Sequence, residues 1–413
     1  MNAASRLRRP TLTRRAAALT LLVALSVSGC TSGGKSAEGT EGKPGQSGSA
    51  QGATASGAPK PPKITALVDG KAAGKTTARL DAKLVVSTKP GKLTSVVVTG
   101  AEGAKLKGAL TAEGTHWESA RAALPPATTF RVKAVAVDAA GVRTSKTFSF
   151  KTLKPKRVMK ARVAPLDGDL VGVGHPVVVY FTERVTDRAA VEQRLKVTAD
   201  PAVEGAWHWF SDTEVHYRPP SYWAPGTEVT LNADIAGVNA GLGTWGVTSR
   251  KISFRIGDSR VSKVSAADHT MKVFVNGQLK RTIPVSTGRQ EFPTSSGVHV
   301  VMSKSEEYWM DSATIGIPRK SKGGYYKKVL WNVRISNSGE FVHSAPWSLG
   351  DQGRSNVSHG CVNASPADAK WFYEQSLRGD VVEVAGTPRR IQQGNGFADW
   401  NMGWELWRSG SAL

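Results

Sequence analysis

In "RVKAVAV" apolar and polar positions alternate: Val132, Ala134 and Ala136 share one face, Lys133, Val135 and Val137 the other, and Asp138 to Gly141 supply a turn. Similar short runs, "KLVVST" and "TSVVVTG" among them, fill residues 63–155 between Gly, Pro and Asp turns and predict a β-sandwich. The style repeats over residues 156–257 in "PVVVYF", "GAWHWF", "EVHYRP" and "EVTLNADI", which predicts a second sandwich. Trp207, Trp209 and Trp223 lie in it and are read as core or rim packing rather than as a sugar platform. Both modules read as spacers.

A third module, residues 258–386, opens with "MKVFVNGQLKRTIPV", two alternating runs joined by Asn276 and Gly277, the strongest short hairpin signal available. Further strands are expected in "SSGVHVVMS", "KVLWNVRIS" and "EFVHSA". The one convincing helix is "SPADAKWFYEQSLRGD", which Ser365 is placed to cap and Gly379 to end. Residues 387–413 form a tail in which Trp400, Trp404 and Trp407 recur at i, i+4 and i+7, so it is expected to dock, with the third module as its expected partner. The whole is mainly β: two sandwiches, then a β-rich module with one main helix.

The start of the chain sets a compartment. Residues 1–29 carry Arg6, Arg8, Arg9, Arg14 and Arg15 ahead of "AAALTLLVALSV", a run too short to span a bilayer, so they read as a cleavable export signal. The ending "VSGC" resembles a bacterial lipobox, which makes Cys30 a lipidation site and the protein an exported one, anchored to the cell membrane and facing the cell wall. The Arg14–Arg15 pair permits twin-arginine export, although the residues after it fit that pattern poorly, and the route stays open. Residues 30–62 are rich in Gly, Ser, Ala, Lys and Pro and read as a flexible tether from the lipid anchor.

The formal net charge of +22 raises the question of nucleic acid. Basic residues are dispersed, however, with the densest cluster, "KPKRVMKAR", at a domain junction, and an exported lipoprotein does not meet nucleic acid. Anionic wall polymer is the partner this charge suggests, alongside the plainer reading of a solvated basic surface.

The chain has two cysteines, and with Cys30 assigned to lipid Cys361 stands alone in "HSAPWSLGDQGRSNVSHGCVN". A thiol attacks as thiolate, so it needs a base or a positive field. His359 is two positions away, too close along one strand for in-line proton transfer, whereas His343 can reach across the loop. His343 is therefore the candidate base, its other ring nitrogen donating to a backbone carbonyl, and His359 supports the site. Gly360 permits a tight turn that would present the Gly360 and Cys361 amides to an oxyanion, and Asn363 can brace the loop. A metal site of His343, His359 and Cys361 lacks a fourth ligand at suitable spacing, a buried structural cysteine is the plainest alternative, and the His-before-Cys order departs from papain-like proteases. No cofactor or metal is called for.

"SHGCVN" preceded by "FVHSAPW" resembles the signature of the L,D-transpeptidases, whose YkuD-type catalytic domain carries His, then Ser/Thr-His-Gly-Cys and Asn. The likeness takes in "FPTSSGVHVV", "MDSATIGIP", "GGYYKKVLW" and the closing Trp-rich tail, and its architecture is that of actinobacterial lipoproteins with two immunoglobulin-like domains. It implies an enzyme that takes peptidoglycan tetrapeptide stems as acyl donors and makes 3–3 cross-links in cell wall biogenesis, with carbapenems as inhibitors. It also implies roles: Cys361 the nucleophile, His343 the base, the Ser344 carbonyl its orienter and Tyr325 an aromatic neighbour of the oxyanion site. Ser358, His359, Gly360 and Asn363 complete the signature, and Met310 and Trp347 line the substrate cleft. Ser344 stands where many members have Gly. The rivals are a sortase-like transpeptidase, which would need an arginine where only Arg378 is at hand, and a non-catalytic wall-binding lipoprotein, which would be expected to lack the Cys, His or Gly present here.

Overall fold

The computed structural model describes residues 60–75, 77–120 and 123–413. The export signal, Cys30 and nearly all of the tether lie outside the described residues. What is described is mainly β.

The first sandwich sets a five-stranded sheet, which includes Lys63–Val68, Leu84–Lys89 and His116–Ser119, against a three-stranded one of Lys92–Thr99, Thr129–Val137 and Arg143–Lys151. The alternation in "RVKAVAV" has its expected consequence: Val132, Ala134 and Ala136 are fully buried and pack with Ile64, Leu84 and Val86. In the second sandwich the sheets are built around Val177–Phe181 and Glu214–Arg218 on one side and Glu228–Ala233 and Arg250–Ile256 on the other. Trp207, Trp209 and Trp223 are buried in its core, and each indole N–H is satisfied, by Leu195 O, Glu192 Oε2 and His175 O respectively. They are packing residues.

The third module has two sheets. Gln278–Pro284, Thr270–Val275, Arg260–Ser265, Val381–Ala385 and Gly297–Val300 form the first in that order. Asn276 and Gly277, both at positive φ (50° and 79°), turn its hairpin. Ser303–Asp311, Tyr326–Arg334, Phe341–Ser344 and Val362–Ala364 form the second, its last two strands parallel. Val264, Met271, Ile283, Val342, Val362 and Phe372 make the core, with Phe372 supplied by the helix Pro366–Gln375. Ser365 caps that helix, its Oγ accepting from Asp368 N. The helix ends at Gln375 rather than at Gly379, because the Ser376 N–H and Oγ both close back on Phe372 O and the chain then turns extended.

The tail meets its expected partner and a second one. On the third module Arg389 holds Glu340 and Ser295, Ile391 N donates to Ser296 O, and Asn401 exchanges hydrogen bonds with Val298 N and O, while the tail's aromatic residues also dock on the second sandwich. The indoles of Trp400 and Trp407 donate to Gly174 O and Ala206 O, and the Arg218 guanidinium lies 4.4 Å from the Trp407 ring and 4.8 Å from that of Trp400. The three tryptophans do not share one continuous helix: a 3₁₀ turn, Asp399–Asn401, precedes a short helix, Trp404–Arg408, and Trp404 also lies over Arg218. A buried arginine offers a flat cation that aromatic rings cover well, which an apolar sheet face alone cannot match. Beyond it Ser411 Oγ and Ala412 N donate to Glu192. Asp399 faces His216; burial alone would lower this imidazole, but Asp399 and Glu214 outweigh it and hold it up at about 9. Deleting residues 399–413 is therefore expected to lower the melting temperature of the second sandwich, because Trp407 alone, fully buried, is worth about 3 kcal/mol or more. Calorimetry of the truncated chain checks this, and an unchanged transition would mean that the tail contributes no stability.

Candidate active site

Parallel pairing of Phe341–Ser344 with Val362–Ala364 sets His343 opposite Asn363, so Cys361 enters the sheet edge just ahead of its strand. The loop between the two strands is pinned to residues 286–289: Val357 N donates to Ser286 Oγ, Ser358 N to Thr287 O, and Arg289 N to Ser358 O. Asn363 Nδ2 donates to Ser348 Oγ, which braces the same loop from within. His343 and Cys361 thereby line one cleft of about 330 Å³, together with Met310, Tyr325, Trp347, Ser358, His359 and Asn363. Ser344 and Gly360 stand behind its wall as buried residues. Arg378, the arginine a sortase-like site would need, is not among the residues lining the cleft; its carbonyl bonds to Gly172 at the junction with the second sandwich.

His343 is buried, and its Nδ1 donates to Ser344 O at 2.9 Å, which leaves Nε2 as the acceptor in the neutral ring. Burial pulls its pKa down to about 4, and the cation of Lys327 acts in the same direction, so the ring is neutral at pH 7. Cys361 keeps part of its surface in the cleft, yet the atoms packed around it push its thiol up to about 12. Both shifts favour a neutral thiol and a neutral imidazole in the one cleft over a papain-like thiolate–imidazolium pair. The sulfur lies 3.7 Å from Gly339 O, where the S–H has a weak acceptor.

The turn at Gly360 has φ +121°, a conformation that a side chain would strain. Ser358 closes it, Oγ donating to Cys361 O at 2.6 Å and accepting from Gly360 N at 3.0 Å. The Gly360 amide, expected at the oxyanion, is thus already occupied, and the Cys361 amide is left for that role. His359 packs at a tilt against Phe292 and Tyr325, with ring centroids 5.0 and 5.2 Å away, and its Nε2 is buried without a partner among the described residues. Tyr325 packs with Met310 and Cys361, and burial, helped by the sulfur, raises its hydroxyl to about 12, so it stays protonated and can donate. Trp347 is about half exposed at the rim, with Lys327 Nζ 3.9 Å from its ring.

Sequence reasoning missed Thr294, Ser295, Glu340 and Arg389. Thr294 Oγ1 donates to Gly360 O, and Glu340 accepts from Ser295 N and Arg389. The available signal was Glu340 at the head of "EFVHS", a strand buried on both faces, where a carboxylate needs a partner.

Residues 259–384 match the family model of the L,D-transpeptidase catalytic domain, and residues 75–239 that of a bacterial Ig domain. L,D-transpeptidase 2 of Mycobacterium tuberculosis is 39% identical over 352 residues, 85% of each chain. L,D-transpeptidase 1 of the same organism is 41% identical over 226 residues, 55% of this chain and 84% of the relative. A solved structure of the LD transpeptidase LdtMt1 in complex with imipenem aligns with a TM-score of 0.50 at 38% identity, covering 56% of this chain and 100% of that one. With the Cys–His cleft built on a domain that matches this family, and a relative aligned along most of both chains, the protein belongs to the L,D-transpeptidases.

Proposed function

We propose that this chain cross-links peptidoglycan by L,D-transpeptidation through a Cys361 acyl-enzyme. His343 Nε2 takes the thiol proton as the sulfur attacks the carbonyl of the third residue of a tetrapeptide stem. The C–N bond then breaks, and His343 returns the proton to the departing D-Ala amine, leaving a thioester. An amine on the third residue of a neighbouring stem attacks the thioester, gives its proton to His343, and forms a 3–3 cross-link as the Cys361 thiol is restored. The Cys361 amide and the Tyr325 hydroxyl are suited to the oxyanion, while Met310, Trp347, Ser358 and Asn363 shape the cleft for the donor. The observation that carries this reading is the neutral His343, locked by Ser344 O, in one cleft with the chain's single free thiol among the described residues. The imipenem complex of a relative supports a cleft open to carbapenems.

Incubation with purified tetrapeptide muropeptides is expected to yield dimers lighter than two monomers by one molecule of D-alanine, because one amide bond breaks for each that forms and no water is taken up, read by mass spectrometry. Loss of D-Ala without dimers would make the enzyme a carboxypeptidase; no change in the stems would sink the proposal.

The same proposal places the protein at the cell membrane, exported and lipid-anchored through Cys30. Cys30→Ala is expected to move the protein from the membrane fraction to the soluble one, as a fractionation blot would show. Unchanged membrane association would argue against lipidation there.

A further inference from the structure

We propose that Glu340 is a positioning residue for the nucleophile: its buried carboxylate, tied to Arg389 and to the Ser295 amide, backs the Gly360–Cys361 turn and sets a negative charge behind the sulfur while the cleft is empty. The inference rests on Cys361 being the nucleophile.

Glu340 is 3% exposed, and its Oε1 accepts from Ser295 N at 2.8 Å and from Arg389 Nη2 at 2.7 Å. Arg389 also donates to Ser295 Oγ through Nε and Nη2, so the guanidinium clips Ser295 to the carboxylate. Oε2 is buried and accepts no hydrogen bond among the described residues, so the Arg389 ion pair is met through Oε1 alone. On its other side the carboxylate abuts the nucleophile turn: a Cβ placed on Gly360 would stand 3.8 Å from Glu340 Cγ and 3.9 Å from Oε1. Thr294, next to Ser295, fastens the same turn by donating to Gly360 O at 2.8 Å.

The neighbours of Glu340 touch the sulfur directly. Gly339 O is the acceptor 3.7 Å from Sγ, and the Phe341 backbone faces it from the following residue. The segment 339–341 thus presents its backbone to the thiol and a buried anion to the turn behind it. Around the sulfur, desolvation and the Glu340 charge both favour the protonated form, whereas the Phe341 backbone and Arg334 favour the thiolate. His343, His359, Tyr325 and Lys327 face the same cleft. A thiol held protonated is a poor target for oxidants and alkylators, so an empty cleft would protect the nucleophile until a donor displaces this balance.

The test is the rate of Cys361 alkylation by iodoacetamide against pH in the full chain, with the adduct mapped by digestion. In Glu340→Gln, which keeps the shape and removes the charge, the profile is expected to move down by about one pH unit, giving roughly tenfold faster alkylation at pH 8 and convergence with the parent at high pH. Arg389→Met, which leaves the carboxylate uncompensated, is expected to move it the other way. Glu340→Asp is expected to restore most of the parent profile. Superimposable profiles, or equal acceleration at every pH in both variants, would overturn the proposal, because loosened packing moves both in one direction. Alkylation does not depend on transfer, so a chain that follows these shifts but makes no cross-links would sink the proposed function and leave the electrostatic coupling standing.

Discussion

Cys361→Ala is expected to abolish transfer from tetrapeptide stems while leaving the melting temperature within a few degrees of the parent. The thioester needs the sulfur, and no second free thiol lies among the described residues to replace it. The fold has little to lose: Cys361 is partly exposed, and its turn is held by Ser358, Thr294 and the backbone of residues 286–289 rather than by the side chain. The same variant tests inhibitor chemistry. A carbapenem carries a strained carbonyl that the thiol can open, so intact-mass spectra of the parent should show one adduct, on the peptide containing Cys361, and the variant none. Residual cross-linking by the variant, or an adduct mapped elsewhere, would remove Cys361 from the mechanism.

His343→Ala is expected to slow acylation by about 100-fold or more, the usual share of a general base. The loss should be confined to the chemical step, with donor KM changed little, because the ring is buried behind the rim formed by Trp347. The pH dependence follows from the depressed imidazole. A base must be unprotonated, and a pKa near 4 keeps His343 so throughout the range from pH 5 to 7. Acylation by a carbapenem should therefore stay level as pH falls from 7 to 5 and drop only near pH 4. A midpoint near the ordinary imidazole value of about 6.5 would show that the ring is solvated or acts with a different partner.

The strands, the hairpin at Asn276–Gly277, the capped helix and the Cys–His pair were legible because each is written in local pattern: period-two alternation, a positive-φ dipeptide, a serine before a helix, a lone thiol. The core role of Trp207 and Trp209 was legible because they sit at alternate positions of the predicted strand "GAWHWF", and that of Trp223, in the following loop, because large aromatics in a sandwich are mostly packing residues. The second docking partner of the tail, the sandwich before the catalytic module, was not. It depends on Arg218, a charged residue in a strand that sequence alone would leave in solvent, and only three-dimensional juxtaposition with Trp400, Trp404 and Trp407 makes it a core residue. Glu340 and Arg389 were hidden likewise, 49 positions apart along the chain and brought into a direct ion pair only by the fold. The occupied Gly360 amide was missed because serine hydroxyls compete for backbone donors in ways that spacing does not reveal.

The return of the chain end to the second sandwich changes how force crosses the molecule. The catalytic module leaves that sandwich near residue 257, packs on it directly where Gly172 and Gly174 donate to Arg378 O and Gly379 O, and comes back to it through Trp400, Trp407 and Ala412, so it is held by several struts in parallel. A pull applied at the cleft divides among the covalent junction, the direct interface and the aromatic clasp instead of hinging the module about a single link. Resistance to forced opening is governed by the unfolding rate, so these struts together set how long the cleft keeps its orientation under load.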